Sequence, residues 1–563
     1  MQKPRILMLV VTLLAAIPVF AADGSDATLD QSIDRMIGQE NALITRMRDL
    51  HPIAEIYIQN LRNDKDFGLV PSSDEYYLGK TYVTGEIGMK SLLAKPDKKK
   101  STFGFFHMPT LSLLAIFKTH PGMRYLPNGF VGMSYIDSKG FNRATYNFEY
   151  VRREFLGEVR CLVFDVKAKN DKEVGRFEGR IWVEDQEDNI VRFNGVFGPV
   201  AKKGLWYYHF DSWRVQMGPG LWLPAYVYTE ETALKYGQKR DLQFKGQVRF
   251  WGYNLKTAGR ESEFSTVRVD APAPVRDSST AAPDTSPVEA TRLWDRQAED
   301  NVLERLEKAG LLAPEGEVDK VLSTVVNNLE VTNKIEVEPP VRCRVLLTST
   351  LESFSVGHTI ILSRGLLDVL PDEASLASML AYELGHVLLV HNEDTQYAFA
   401  DRMMIPDEDV MSKFRFHRDD ATNALAEAKA IELLRNSPYK GTLATAGLFL
   451  RALDAHSKEL SHLISPHLGN RVSNMKELMA GAPALEANRT DQIAALPLGG
   501  RIKLEPWNDH VELSKPKAVA LLSPREKLPF EITPFWPYLS RQGANPTPQT
   551  ATTDPKAPTP PQN

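Results

Sequence analysis

The sequence predicts an α+β protein with two unlike parts, a β-rich part followed by a mainly helical part. Up to about residue 255, strand-like runs rich in β-branched and aromatic residues alternate with turn-rich pieces. Residues 269–291 are rich in Pro, Ala, Ser and Asp and lack periodicity, which indicates a linker. Beyond the linker, apolar residues recur at intervals of three and four, as in buried helices.

Composition agrees with a folded chain of more than one domain. The 563 residues exceed the length of a typical domain, and 43% hydrophobic residues supply ample core. A formal charge of −5 without an extended basic patch argues against nucleic-acid binding. The two cysteines, Cys161 and Cys343, are too few for a disulfide framework, so buried thiols are expected, with an interdomain disulfide as the alternative.

The N-terminus has the features of a secretory signal peptide over residues 1–21. Lys3 and Arg5 precede an apolar run, and small residues around Ala21 suit cleavage before Ala22. An uncleaved membrane anchor is the alternative, but the apolar run is short for a spanning helix and contains Pro18. We therefore expect export to the periplasm or the extracellular space, with peripheral envelope association left open.

The first part, residues 22–268, is expected to begin with a helix over about residues 29–61 and to continue as antiparallel strands. Such a succession predicts a curved sheet or half-barrel. It resembles the half-barrels that carry lipoproteins or lipids across the periplasm, which implies a hydrophobic ligand. Trp182, Trp213 and Trp222 fit the wall of a lipid pocket or, equally, the core of a sheet.

The most informative motif of the second part, residues 292–480, lies on a predicted helix that begins at Pro371. Asp372 and Glu373 follow in the first turn, as is typical of helix starts. Farther along, the sequence YELGH places Tyr382 and His386 four residues apart on one face, with Glu383 beside them. Two histidines at that spacing, with the glutamate as general base, would form the zinc motif H-E-x-x-H. Tyr382 occupies the first histidine position.

The stretch IILSRGLLDVLPDEASLASMLAYELGHVLLVH, residues 360–391, resembles the gluzincin metallopeptidases of the HtpX and CAAX-prenyl-protease type. The resemblance implies a peptidase fold with Glu383 as catalytic base. It also implies a third zinc ligand, a glutamate on a later helix, whose position corresponds to Asn423, or to Glu427 if the helix is shifted by one turn. A His-Pro pair of the family is replaced by Ser465-Pro466, with His467 nearby.

The ligand positions are chemically degenerate. A tyrosine phenol has a pKa of roughly 10 and an amide oxygen is a weak zinc donor, so Tyr382 and Asn423 leave His386 as the one ordinary ligand. Zinc is therefore expected only if other residues complete the site. The candidates for such a rescue are His358, His391, His417 and Glu427.

The C-terminal region divides into an extension over residues 481–540 and a Pro- and Thr-rich tail over residues 541–563. The tail has the composition of a disordered segment. The extension contains Phe535, Trp536 and Tyr538, which we expect to pack against one of the domains or, if exposed, to bind a partner.

Three functions are compatible with these features. The first is a non-catalytic binding or scaffold protein of the cell envelope with a pseudopeptidase domain. The second is an active zinc endopeptidase in envelope protein quality control, with an altered site. The third is a lipid or lipoprotein carrier that uses the β-rich domain. The ligand, the partner and the oligomeric state are not determined by the sequence.

Overall fold

The computed structural model describes most of the chain between residues 23 and 541. The gaps are residues 66, 85, 94–117, 120, 121, 124, 171, 199–207, 237–239, 256–286, 390–396, 398–403, 473, 474, 487, 488, 490, 500, 506–508 and 514–528. The predicted signal peptide, most of the predicted linker and nearly all of the C-terminal tail lie outside the described residues.

The first part is dominated by one antiparallel sheet. Its elements are α1 (Asp23–Leu50), β1 (Ile53–Asp64), β2 (Gly68–Val83), β3 (Ile87–Ser91), β4 (Lys118–Thr119), β5 (Gly122–Met123), α2 (Pro127–Gly132), β6 (Tyr146–Leu156), β7 (Val159–Ala168), β8 (Arg176–Glu184), β9 (Ile190–Gly198), β10 (Phe210–Gly218), β11 (Leu221–Tyr236) and β12 (Arg240–Trp251). In the described part of the chain, ten strands pair in the order β3-β2-β1-β12-β11-β10-β9-β8-β7-β6. The sheet is open, because its end strands β3 and β6 are not paired with each other.

The first helix is shorter than the sequence pattern predicts. It ends at Leu50 instead of continuing to Leu61, and residues 53–61 belong to β1. His51, with φ +36, and Pro52 separate the two elements, and the following IAEIYI segment pairs with both β2 and β12. The apolar residues of this segment have a mixed spacing that fits a helix or a strand. The segment forms a strand because it pairs with β2 and β12.

The two faces of the sheet have different neighbours. One face, which we call the helix-covered face, packs on α1 and α2 through an apolar core. The other face, the outer face, contacts the second part of the chain at one end and the segment 529–541 at the other. Register shifts in several strand pairs, for example at Asn60 and Trp213, are bulges that bend the strands.

The second part combines a small mixed sheet with helices. Its elements are α3 (Pro287–Lys308), α4 (Glu317–Asn333), β13 (Arg342–Leu346), β14 (Glu352–Val356), β15 (Thr359–Ser363), α5 (Arg364–Val369), α6 (Glu373–Leu388), α7 (Val410–Lys413), α8 (Asp420–Arg435), α9 (Leu443–Ala455), α10 (Ser461–Ile464), β16 (Asn470–Arg471), α11 (Lys476–Ala480), β17 (Ile502–Glu505) and β18 (His510–Leu513). The strands β13, β15, β14 and β16 form one sheet, and β17 and β18 form a hairpin. The sequence pattern predicts two strands before α5, whereas the structure has three.

The two parts share one continuous core and are joined by buried carboxylates. Glu55 on β1 accepts hydrogen bonds from the Ser349 backbone and hydroxyl and from Arg364 Nη2, at 2.5, 2.6 and 2.6 Å. Asp74 on β2 accepts from the backbone N–H groups of His462 and Leu463. Since these groups are matched across the interface, the outer face of β1 and β2 is a specific docking surface for the second part.

The two cysteines are separate and buried, as expected for structural thiols. Cys161 lies on the outer face of the sheet and Cys343 on β13. Burial raises the pKa of each thiol to about 12. Over the described residues, no helix combines the length and hydropathy needed to cross a membrane.

Candidate functional site

Helix α6 carries the YELGH sequence, residues 382–386, and is buried on nearly every side. Its start is fixed by Asp372, whose carboxylate accepts a hydrogen bond from the Ser375 backbone N–H at 2.8 Å. All of residues 374–387 except Leu376 are buried. A helix that is apolar around most of its circumference is a core helix. Its polar residues are therefore held in fixed positions.

Tyr382 and His386 lie on the same face of α6, as their spacing predicts. Their rings meet edge to face, with centroids 5.0 Å apart and an interplanar angle of 89°. Both side chains are buried, with 4% and 1% of their surface exposed. The i, i+4 geometry of the motif is thus present, with a phenol in place of the first imidazole.

Glu383 is bound to the small sheet. Its Oε1 accepts a hydrogen bond from Ser353 Oγ on β14 at 2.6 Å, and both side chains are buried. The sequence around Ser353 gives no sign of this contact, because a serine within a short strand does not indicate a partner 30 residues away. Through this hydrogen bond Glu383 joins α6 to β14.

Helix α8 crosses α6 at Gly385, next to His386. A Cβ atom built on Gly385 would lie 2.7 Å from the backbone oxygen of Ala426. The two helices therefore approach so closely that only glycine fits at position 385. Asn423, three residues before Ala426, lies on the same side of α8 and is 6% exposed. The structure thus brings the helix with the predicted third ligand position against the motif helix.

Asn423 stabilises the start of α8. Its Nδ2 donates to the backbone oxygen of Arg418 at 3.1 Å, and its Oδ1 accepts no hydrogen bond from the described residues. The alternative position, Glu427, lies one turn farther along, and its carboxylate accepts from the Glu477 backbone N–H at 3.3 Å. Glu427 therefore has a contact away from α6.

The remaining histidines have contacts elsewhere. The backbone N–H of His358 donates to Glu299 on α3, and His417 is exposed. His467 stacks on Tyr76 of the large sheet, with centroids 5.3 Å apart, and burial lowers its pKa. His391 lies outside the described residues. The ring contact with Tyr76 thus places the His467 imidazole against the large sheet.

The residues at the ligand positions do not fit zinc. A phenol, an amide and one imidazole replace the usual two imidazoles and one carboxylate. Among the described residues, no group of three His, Cys, Asp or Glu side chains is placed to hold a metal ion.

Replacing Ser353 by alanine tests the structural role of Glu383. The variant leaves a buried carboxylate without one donor, so we expect the free energy of unfolding to fall by about 1–3 kcal/mol. Ser378 is the matched control, because it is equally buried on α6 but donates only to the Ala374 backbone oxygen of its own helix. Urea unfolding of Ser353→Ala and Ser378→Ala measures the difference. Equal losses would contradict the role of Ser353.

A second candidate site lies on the helix-covered face of the large sheet. Arg214 of β10 forms two hydrogen bonds with Glu40 of α1, at 2.6 and 2.8 Å, and both residues are at least 98% buried. The Arg214 guanidinium also donates to the backbone oxygens of Ile190 and Ser134, at 3.2 and 3.4 Å, and lies 5.2 Å from the Phe193 ring centroid. The pair has no signature in the sequence, because single charged residues inside strands and helices are common and these two lie 174 positions apart.

A group of phenylalanines lies on the same face of the sheet as Arg214, and Phe193 is the member next to the guanidinium. Neighbouring rings of β8, β9 and β10 contact one another with centroids 5.1–6.2 Å apart. The members of this group are Phe177, Phe193, Phe197 and Phe210. Against this face α1 places flexible aliphatic side chains, among them Met36 and Met47. The helix therefore occupies an apolar surface of a kind that a hydrocarbon chain also fits.

The tryptophans considered for a lipid pocket belong to the core of the opposite face. Trp182, Trp213 and Trp222 are at least 95% buried in the cluster that also contains Leu539. Arg192 stacks between Trp182 and Trp213, at 4.3 and 4.5 Å from the ring centroids. These residues hold the C-terminal segment on the sheet.

The aromatic residues of the C-terminal extension are only partly covered. Phe535 packs edge to face against Tyr226, with centroids 5.8 Å apart. Trp536 contacts Trp213 but remains 59% exposed, and Tyr538 is 63% exposed. The expectation that this segment packs against a domain is therefore met by Phe535 and only in part by the other two.

Comparisons with known proteins give weak similarities. No family model matches the chain, and no curated protein matches it. A LolA superfamily protein from Nitrosomonas europaea has 12% identity and a TM-score of 0.23, covering 41% of this chain and 96% of its own. A DUF1329 family protein from Desulfovibrio piger has 10% identity and a TM-score of 0.17, covering 42% and 97%. A domain from Vibrio parahaemolyticus named for outer membrane lipoprotein sorting has 9% identity and a TM-score of 0.17, covering 41% and 98%. At such low TM-scores these similarities decide no functional question.

Proposed function

We propose that this chain is an exported, non-catalytic binding protein that takes a lipid-like ligand with an anionic head group on the helix-covered face of its large sheet. The observation that carries the proposal is the buried Arg214–Glu40 pair. In this structure, the Glu40 carboxylate occupies the position proposed for the head group. The apolar side chains of α1 occupy the position proposed for the hydrocarbon chain. Ligand entry would require α1 to move away from the sheet.

The chemistry of Arg214 suits this role. Its guanidinium is planar and permanently charged, and it binds carboxylates and phosphates through two parallel hydrogen bonds. The phenylalanine group on the same face of the sheet supplies apolar contact area for a flexible chain. Methionines such as Met36 and Met47 are typical of surfaces that repack when their partner changes. A lipid with a carboxylate or phosphate head matches both features.

In this proposal the peptidase-like part is a scaffold. Tyr382 and Asn423 remove the zinc chemistry that the gluzincin resemblance implies. The buried contacts of Glu55 and Asp74 with the second part hold the outer face of the sheet. Because the outer face is held by the second part, the ligand would enter on the helix-covered face, where α1 would move away from the sheet. This combines the scaffold and carrier hypotheses, and it predicts that the chain has no peptidase activity.

Two opposite substitutions test the proposal with 11-(dansylamino)undecanoic acid as a fluorescent acyl probe. Glu40→Gln weakens the hold of α1 on Arg214 and should tighten probe binding about fivefold, since a charged hydrogen bond is worth roughly 1 kcal/mol more than a neutral one. The double variant Glu40→Leu/Arg214→Met replaces the pair by apolar groups and should weaken binding at least about tenfold, because the head group loses its partner.

A cross-link provides the control for helix displacement. Asp34 of α1 and Arg143 form an exposed ion pair at 2.5 Å, so cysteines at these positions can be joined by a short bismaleimide. Joining them before probe addition should prevent uptake, whereas the same variant without the reagent should bind normally. Absence of probe binding to the unmodified protein, or equal binding by Glu40→Gln and the double variant, would overturn the proposal.

A further inference from the structure

A cleft of about 780 Å³ lies between the start of α4, the strand β13 and the β17–β18 hairpin. Its size falls within the range of ligand-binding pockets. Gly316 and His510 both line the cleft and lie close together, since a Cβ atom built on Gly316 would lie 3.5 Å from His510 Nδ1. The cleft is remote from the residues of the proposed lipid site, which lie on another face of another sheet.

The strands β13 and β18 both contribute residues to this cleft. Among the described strands, β13 pairs with β15 alone, and the chain before α4 covers part of its other edge. That cover consists of the bonds from Ala313 N to Val345 O, at 2.9 Å, and from Leu347 N to Leu311 O, at 2.8 Å. This cover of β13 ends at Ala313, because the chain then leaves the strand and begins α4 at Glu317.

The backbone of Cys343 lies beyond this cover. Arg342 N donates to His358 O, toward β15, whereas Val345 O points to the opposite side. Since residues two apart in a strand direct their backbone groups to the same side, the N–H and C=O of Cys343 point away from β15, to the side on which the cleft lies, although only 3% of the residue is exposed. The hairpin strand β18 lines the facing wall through His510, Val511 and Glu512.

Negative charge exceeds positive charge in the cleft. Five carboxylates line it, against the two cations Lys320 and Arg342. Arg342 is already committed to Glu299 and Asp300, each at 2.7 Å. Lys503 is shared between Glu505 and Glu512, at 3.0 and 3.5 Å. A concave surface with excess charge of one sign concentrates ligands of the other sign.

Asp319 gives a second, independent indication of a cationic ligand. It is 92% buried at the wall of the cleft, since 8% of its surface is exposed, and its Oδ1 accepts no hydrogen bond from the described residues. Its Oδ2 accepts from Gly316 N at 2.6 Å. Burial raises the pKa of Asp319 to about 6. A buried carboxylate oxygen without a donor is a costly arrangement that an incoming cation would relieve.

We infer that this cleft binds an extended peptide segment carrying lysine or arginine, which pairs as an added strand with the open edge of β13. Backbone pairing at Cys343 supplies the strand contact, and basic side chains on alternate positions face the carboxylates. The inference does not depend on the proposed lipid function. It assigns a protein-binding role to the peptidase-like part of the chain.

The test uses fluorescence anisotropy of fluorescein-labelled acetyl-Lys-Val-Lys-Val-Lys-Val-amide with the full chain at low salt. We expect saturable binding. Two analogues are compared, one N-methylated at the lysines and one at the valines. Each loses the N–H groups along one edge of the extended peptide. The analogue methylated on the edge that pairs with β13 should bind far more weakly. Spermine serves as a cation without a peptide backbone and should compete poorly.

Charge variants locate the site. Glu317→Gln/Glu512→Gln removes two exposed carboxylates of the cleft and should weaken peptide binding about fivefold, given the modest worth of exposed ion pairs. The matched control, Glu149→Gln/Glu158→Gln, removes two exposed carboxylates near the far edge of the large sheet and should leave binding unchanged. Thermal melting confirms that both variants fold.

Three results would overturn the inference. They are no binding of the unmodified peptide, full binding by both N-methylated analogues, and equal weakening by the cleft variant and its control. Full binding by both analogues together with tight spermine binding would make the cleft a site for small cations instead of a strand. Because the acyl probe and the peptide use different residues, failure of one proposal leaves the other testable.

Discussion

Replacement of Glu55 by alanine is expected to lower the free energy of unfolding by about 3–5 kcal/mol, the range for breaking a buried ion pair. Glu55 is 1% exposed and binds Ser349 and Arg364 of the second part as well as Tyr76 of its own sheet. Its loss leaves the Arg364 guanidinium, 1% exposed, without its carboxylate. Burial lowers the pKa of Arg364 to about 10, so it remains charged at neutral pH.

Two further variants serve as controls for the stability loss of Glu55→Ala. Glu149→Ala, at an exposed position of β6, should change stability by no more than about 0.5 kcal/mol. The double variant Glu55→Leu/Arg364→Met removes both charges and should recover most of the loss, because apolar replacements of a buried pair are often neutral. Denaturant unfolding measures all three. A loss below about 1 kcal/mol for Glu55→Ala would mean that this contact does not hold the two parts together.

The second large effect is a gain of metal binding. We expect Tyr382→His/Asn423→Glu to bind close to one zinc per chain, whereas the natural chain should not retain stoichiometric zinc. The double variant restores two imidazoles four residues apart on α6 and a carboxylate on α8, which is the donor set that zinc prefers. Metal content after growth with zinc, measured by mass spectrometry on protein without a histidine tag, gives the answer.

Controls separate the ligands from the scaffold. Tyr382→His/Asn423→Gln lacks the carboxylate and should bind zinc much more weakly. Adding His386→Ala to the double variant should abolish binding. Stoichiometric zinc in the natural chain would overturn the non-catalytic function, and Glu383→Gln would then be the variant to test for lost peptidase activity. No zinc in the double variant would mean that α8 does not present residue 423 to the motif.

Much of the local structure could be predicted from short-range patterns. The start of α6 at Asp372 follows from capping chemistry, and the shared face of Tyr382 and His386 follows from the helical repeat. The succession of antiparallel strands in the first part follows from turn residues between β-branched runs. The helix expected to reach Leu61 was wrong, because the mixed apolar pattern of residues 53–61 becomes a strand only beside its two partners.

The sequence by itself determined the outline of the fold class, the order of its two parts and the shared helical face of Tyr382 and His386, because each of these depends on neighbours a few residues away. Only the tertiary structure decided that Glu55 meets Arg364 across 309 positions and that Glu40 meets Arg214 across 174. It also decided that Trp213 faces the core under the C-terminal segment. Such contacts arise when distant surfaces bury their apolar area together, and burial then makes a matched partner necessary for every charge left inside.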